Sequence, residues 1–136
     1  MKEVNSMRVD QTIKKLLSYA TSEEKVDQEY KKYTCLSNRK LYSTEINGEI
    51  VSCIGVEFRN SKEGVIKHIA VLPKERGSGI GSSMIRFICK EYNLNFISAE
   101  TDKDAVMFYT NFGFRVTSLG EKYPGVERFL CEFEVK

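Results

Sequence analysis

The chain has 136 residues, 41% hydrophobic and 29% charged, which suits one domain around one core and excludes a disordered polypeptide. A formal net charge of +2 is too weak to imply nucleic-acid binding by itself. No apolar run approaches the roughly 20 residues that cross a bilayer, and the opening MKEVNSMRVD lacks the apolar stretch of a secretory signal.

In chain order, QTIKKLLSYA (11–20) sets Ile13, Leu16, Leu17 and Ala20 at helical spacing, predicting an amphipathic helix. A second helix is predicted from Ser22 to Tyr33, with acids in its first turn, lysines in its last, and a stripe of Val26, Tyr30 and Tyr33. KLYSTEI and EIVSCIGVEF flank Asn47-Gly48, a strong hairpin signal because both residues tolerate positive φ. NSKEG then turns into VIKHIAVLP, completing an antiparallel meander. Ile80, Met84, Phe87 and Ile88 mark a helix, NFISAE a strand, and DKDAVMFYTNF a helix that Gly113 stops. FRVTSL and ERFLCEFEV close the chain as strands around the turn EKYPGV. The strand–helix–strand unit over 65–100 reads as a parallel crossover. The expected fold is α+β, an α/β layered domain over 1–136 with a mixed, mostly antiparallel sheet and helices on both faces. ERFLCEFEV, read as an edge strand, could support a homodimer.

Cysteines 35, 53, 89 and 131 show neither zinc-ligand nor CxxC spacing. They read as reduced, buried or half-buried thiols of a cytoplasmic protein. His68 is the only histidine, so a histidine-rich metal site is excluded.

The stretch IKHIAVLPKERGSGIGSSMI (66–85) changes from apolar strand to Arg-Gly-Ser-Gly-Ile-Gly at the mouth of a helix. Each glycine lowers helix propensity by about 1 kcal/mol. An anion seated on the bare N–H groups of residues 76–82 would compensate, with Arg76 at the entrance. A bare strand-to-helix corner is the alternative. The loop is not a P-loop, which needs Gly-Lys-Ser/Thr, nor a Rossmann fingerprint, since the last position counted from Gly77 is Ser82.

IAVLPKERGSGIG resembles motif A of the GNAT N-acetyltransferase superfamily, Arg/Gln-x-x-Gly-x-Gly/Ala, filled by Arg76, Gly79 and Gly81. DAVMFYTNFGF is similar to its motif B, Ala-x-x-x-Tyr-x-x-x-Gly-Phe, filled by Ala105, Tyr109, Gly113 and Phe114. Residues 1–45 carry little of the likeness, and the family's opening strand looks short or missing. The resemblance implies a GNAT-like acyl-CoA acyltransferase fold and an acetyl-CoA site. The diphosphate would rest on Arg76, Gly77, Ser78, Gly79, Ile80, Gly81 and Ser82, and the pantetheine arm along Ile69, Ala70 and Val71. Val71 N–H would face the thioester carbonyl. Tyr109 would serve the leaving thiolate. The implied activity is acetyl transfer to a small-molecule or protein amine by direct attack. The alternative is a silent acyl-CoA-binding domain that regulates a partner.

For the base that takes the amine proton, Glu100 at the end of its strand is the first choice and Glu57 the second. Alternation along VIKHIAV puts His68 on the face of Ile66, Ala70 and Leu72, where it reads as a packed residue, and Lys67 on the other face. Lys67 could meet an acidic acceptor or pair with a nearby glutamate. Asp102 stands where many relatives carry a cofactor-contacting Asn, and reads as a helix cap instead. Tyr123 could line the acceptor pocket or sit in a plain turn.

Overall fold

The computed structural model describes residues 1–135. A short strand β1 (Lys2–Glu3) precedes α1 (Gln11–Ala20), a single 3-10 turn (Glu23–Lys25) and α2 (Val26–Cys35). The meander follows as β2 (Arg39–Ile46), β3 (Glu49–Asn60) and β4 (Glu63–Val71), then α3 (Ile80–Glu91), β5 (Phe96–Asp102), α4 (Val106–Phe112), β6 (Arg115–Tyr123) and β7 (Val126–Glu134). The strands form one sheet in the order β1-β2-β3-β4-β5-β7-β6, antiparallel throughout except for the parallel pair β4–β5.

Local chemistry accounts for most boundaries. Asp10 caps α1 by accepting the Thr12 N–H at 2.7 Å. Asn47 and Gly48 take φ values of 53° and 81°, which turns β2 tightly into β3. Gly113, at φ 119°, ends α4 in the left-handed conformation as its position predicts. Asp102 does not cap α4, whose N-cap is Ala105 without a side-chain bond; at the end of β5 its Oδ1 instead accepts the N–H groups of Asp104 and Ala105, at 3.0 and 3.3 Å, within the turn that precedes the helix.

Each face of the sheet carries its own core. On one side Ile13, Leu16 and Leu17 of α1 and Val26, Tyr30 and Tyr33 of α2 pack on Leu41, Val51, Cys53, Ala70 and Leu72. On the other, Met84, Ile85 and Ile88 of α3 and Tyr109 of α4 pack on Ile54, Val56, Ile66, Ile97, Ala99 and Cys131. No helix among the described residues is long and apolar enough to cross a membrane.

Four further expectations need correction. The second helix starts at Val26, because Glu23–Lys25 winds as a separate 3-10 turn. Cys35 is exposed at the end of α2, while the other three thiols are buried. The last hairpin turns at Pro124-Gly125 alone, with Glu121, Lys122 and Tyr123 already in β6. ERFLCEFEV is not an edge: β7 lies between β5 and β6, and β6 is the outermost strand.

Candidate active site

β4 and β5 are paired only from Glu63↔Phe96 to Ile66↔Ala99. Beyond that point β4 continues to Val71 and β5 to Asp102, and the sheet opens into a V. The cause lies on the other side of β4. Gly55 of β3 pairs with His68, but its neighbour Val56 pairs with Ile66. Lys67 is therefore an extra residue, a bulge that bends the strand.

That bulge overturns the alternation expected for VIKHIAV. Ile66 packs into the α3/α4 core, whereas Ala70 and Leu72 join the α1/α2 core. His68 turns with Ala70, and its Nδ1 lies 2.5 Å from the Tyr33 hydroxyl of α2.

Past the bulge, β4 has one satisfied edge and one open edge. Leu72 N–H donates to the Val51 carbonyl at 2.8 Å. Alternate residues of an antiparallel strand face the same neighbour, so Ala70 and His68 also direct their peptide groups to β3. Ile69 and Val71 direct theirs into the opening. The Val71 carbonyl accepts from Arg76 Nε at 2.9 Å, while its N–H points into the gap.

The glycine loop closes the wide end of the V. Gly77 and Gly79 adopt φ values of 84° and 85°, a conformation that a Cβ disfavours. Gly79 is the N-cap of α3 and offers no side-chain acceptor. The first bond of the helix is Ser83 N–H to Gly79 carbonyl, 2.9 Å, so the N–H groups of Ile80, Gly81 and Ser82 precede the helical ladder. Gly81 has a different reason: a Cβ there would stand 2.9 Å from the Phe108 ring of α4. The guanidinium of Arg76 lies over the Tyr19 ring at 5.4 Å, at the end of α1.

These elements line a cleft of ≈ 510 Å³. Of the residues expected to hold a cofactor, Ile69, Ala70, Val71, Arg76, Gly77, Gly79, Ile80, Gly81 and Ser82 all face it. Ser78 does not, and its hydroxyl donates to the Glu75 carbonyl at 2.9 Å. A second cleft of ≈ 450 Å³ adjoins the first and shares Tyr19, Ile69, Arg76 and Ala105 with it. Lys67, His68, Glu100, Asp102, Tyr109 and Arg128 are among its lining residues, so Tyr109 and Glu100 meet in one space. A third hollow of ≈ 570 Å³ lies near the far end of α3, around Arg86, Lys90 and Phe133, and touches no motif residue except Phe112.

Tyr109 is buried and stands edge-on to Phe108 and Phe114, with centroids 5.1 Å away in both cases. Burial, with Cys131 nearby, pushes its phenol well above the ordinary value, so it remains a neutral hydrogen-bond donor. Glu100 is exposed at the cleft wall. Glu57 is held elsewhere, accepting from Arg39 Nε at 3.0 Å. Burial lowers His68 to about 4, although Glu29 opposes the shift, so the ring is neutral at physiological pH. Its Nε2 is 3.6 Å from Glu29. Burial alone would raise the Glu29 carboxyl, but hydrogen bonds from Lys32 and Arg39, at 2.8 and 3.3 Å, hold it below its usual value. His68 therefore belongs to a structural network and forms part of the cleft wall. Lys67 joins no ion pair among the described residues. Tyr123 is 67% exposed at the tip of the last hairpin, outside both clefts.

Sequence reasoning missed Tyr19, Phe108 and Arg128. Tyr19 and Arg128 belong to segments remote in sequence from both motifs, and nothing local to them points to the cleft. Phe108 could have been found from Gly81, because a glycine inside a helix often marks a close neighbour.

The frame is therefore that of an acyltransferase, in which a sheet split beside a glycine-started helix opens a channel between the two faces. Residues 37–116 match the family model described as Acetyltransferase (GNAT) domain, and the chain belongs to that family. A relative named "Uncharacterized N-acetyltransferase in lysA 3'region", from Bacillus methanolicus, is 36% identical over 74 residues, which are 52% of this chain and 62% of the relative. This chain thus matches somewhat under two thirds of that relative's length. Among solved structures, a GNAT family acetyltransferase from Elizabethkingia anophelis with acetyl-CoA bound superposes with TM-score 0.72 at 22% identity, covering 98% of this chain and 95% of the other. An aminoglycoside 6'-N-acetyltransferase complexed with coenzyme A gives TM-score 0.79 at 15% identity, covering 98% and 97%. At such identities these two likenesses establish the fold.

Proposed function

We propose that this protein, a single domain over residues 1–136, moves the acetyl group of acetyl-CoA to a primary amine by direct attack in the reducing cytoplasm. The observation that carries the proposal is the V between β4 and β5, which runs from the uncapped start of α3 to Tyr109 and Glu100. Family membership and the acetyl-CoA- and CoA-bound neighbours support it, and the four free thiols suit a reducing compartment.

The residues present fit the ligand. The N–H groups of Ile80, Gly81 and Ser82, at the positive end of a twelve-residue helix, suit a diphosphate, and Arg76 adds charge beside them. The peptide groups of Ile69 and Val71 would pair with the amide-bearing arm as though it were a missing strand. Acetyl-CoA supplies an activated thioester carbonyl. Val71 N–H is the donor for negative charge developing on that carbonyl oxygen.

An amine acceptor arrives as an ammonium ion. With a lysine-like pKa of about 10.4, freeing its lone pair at pH 7 takes about 4.6 kcal/mol, and in this reading Glu100 accepts the proton. The exchange then forms a C–N bond, breaks the C–S bond and yields an amide, a free thiol and one proton. Tyr109 steadies the departing sulfur. A phenol above its usual value of about 10 cannot fully protonate a thiolate near 8.5 without a penalty above about 2 kcal/mol in water, so it acts by donating a hydrogen bond. Direct attack is favoured because no cysteine lines either cleft. Burial also raises Cys53 and Cys89 to about 12 and about 11, which keeps them protonated.

The test pairs calorimetry of acetyl-CoA binding with thiol release across a panel of amines. Wild-type protein should bind and turn over. Gly79→Val should bind at least about tenfold more weakly, since strain at the loop displaces the N–H groups. Equal affinity of the two proteins would refute the site.

A further inference from the structure

The second cleft holds more charge than acetyl transfer uses. Lys67 and Arg128 line it together with Glu100, and none of the three joins an ion pair among the described residues. Their placement follows from strand register. Ile66 is the last β4 residue paired with β5, opposite Ala99, so Lys67 stands at the crotch of the V, one step from Glu100. Across β7, Glu100 faces Leu130 and Asp102 faces Arg128. Residues 100, 102 and 128 therefore share one face of the sheet, with Arg128 diagonal to Glu100 at about 7–8 Å. Two uncommitted cations thus lie on either side of the Glu100 carboxylate, with Asp104 a second unpaired acid in the same lining.

Of the other charges of the cleft, Arg76 is bonded to the Val71 carbonyl, Asp102 is bonded within the turn before α4, and Asp104, exposed like Lys67 and Glu100, lies one residue before Ala105 in the same lining. Cations and acids balance, three against three, so the cleft as a whole carries no excess of either sign. A polycation would bring its additional ammonium groups against Lys67 and Arg128, and a plain alkylamine would leave both without a partner.

We infer that the acceptor is zwitterionic: a primary amine with a carboxylate a few bonds away, as in an amino acid. Lys67 and Arg128 receive the carboxylate while Glu100 receives the ammonium. This assignment rests on the transferase reading and narrows its acceptor. The reaction is the same balanced exchange, with the carboxylate unchanged.

The experiment compares matched acceptors by thiol release from acetyl-CoA: free amino acids, their methyl esters, the corresponding decarboxylated amines, and spermidine and kanamycin as polycations. The free acids should exceed their esters by about ten- to hundredfold in kcat/KM, the range of a charge-assisted contact, and the difference should lie in KM. Lys67→Glu should abolish or invert that preference, whereas Lys67→Arg should keep it. Lys67 is exposed, so neither change should disturb folding, which circular dichroism would verify. Equal use of acids and esters, preference for polycations, or an unchanged preference in Lys67→Glu would overturn the assignment while leaving the transferase intact. Acetyl-CoA binding without turnover of any amine would overturn the transferase reading, and this inference with it.

Discussion

Replacing Gly55 with alanine should dislodge Tyr33 and break its contact with His68. Gly55 lies in the middle of β3, and a Cβ there would stand 2.0 Å from the Tyr33 hydroxyl and 2.3 Å from its Cζ. Tyr33 is 5% exposed, held by the 2.5 Å bond to His68 and by Arg39 over its ring at 5.5 Å. Ordinary contact begins at 3.4 Å, a retreat that the hydrogen bond does not survive. Losing a buried hydrogen bond costs about 1–3 kcal/mol and overpacking about as much again. Reduced entropy of the unfolded chain returns less than about 1 kcal/mol. The net loss should be about 1–5 kcal/mol, seen in urea as a midpoint lower by about 0.5–2.5 M with little change of slope. In a Tyr33→Leu background the obstacle is gone, and the same glycine change should cost under about 1 kcal/mol. An equal loss in both backgrounds, or a Gly55→Ala protein as stable as its parent, would refute the reasoning.

Tyr109→Phe should lower kcat by about ten- to a hundredfold, toward the modest end of acid–base contributions, with acetyl-CoA affinity held; wild-type turnover would remove its role at sulfur. Glu100→Gln should flatten the ascending limb of the pH–rate profile, and an unaltered limb would transfer the proton to water. Stability should also fall in acid through His68. Its folded value of about 4 lies below the unfolded 6.5, so the unfolded chain binds the proton more readily. The neutral ring's contribution is complete above pH 6.5 and disappears as pH drops toward 4. The loss at pH 5 relative to pH 7.5 is about 2 kcal/mol, and His68→Gln should erase that part of the slope in urea titrations; an unaltered slope would assign the acid sensitivity to other groups.

Where the fold was legible, local chemistry determined it. Asn47-Gly48, the 3.6-residue spacing of Ile13, Leu16 and Leu17, and Gly113 after Phe112 each specify their geometry within a few residues. Arg76, Gly79 and Gly81 likewise fall in the loop and at the start of α3, which are contiguous in sequence, whereas Ser78 between them turns to the Glu75 carbonyl. The bulge at Lys67 was not legible. Period-two alternation assumes that each residue has one partner, and the register of β3 against β4 is a property of the pair. That one extra residue redirected His68 and placed Lys67 at the split. Edge and interior were misjudged for a similar reason: β7 inserts between β5 and β6 through contacts distant in the chain. Gly55 was the unread signal, since glycine within a strand often marks close approach by another group.

The four residue pairs that join β4 to β5 have a mechanical meaning. Among the described residues they form the ladder between a plate of four strands and a plate of three, extended at its closed end by the Lys62 carbonyl, which accepts from the N–H groups of Asn95 and Phe96 at 2.8 and 3.2 Å. Any rotation about that seam changes the gap least at Ile66 and most at Val71. The breadth of the channel thus depends on the packing of Ile66, Ile97 and Ala99 beneath α3, of which Ile97 and Ala99 line neither cleft.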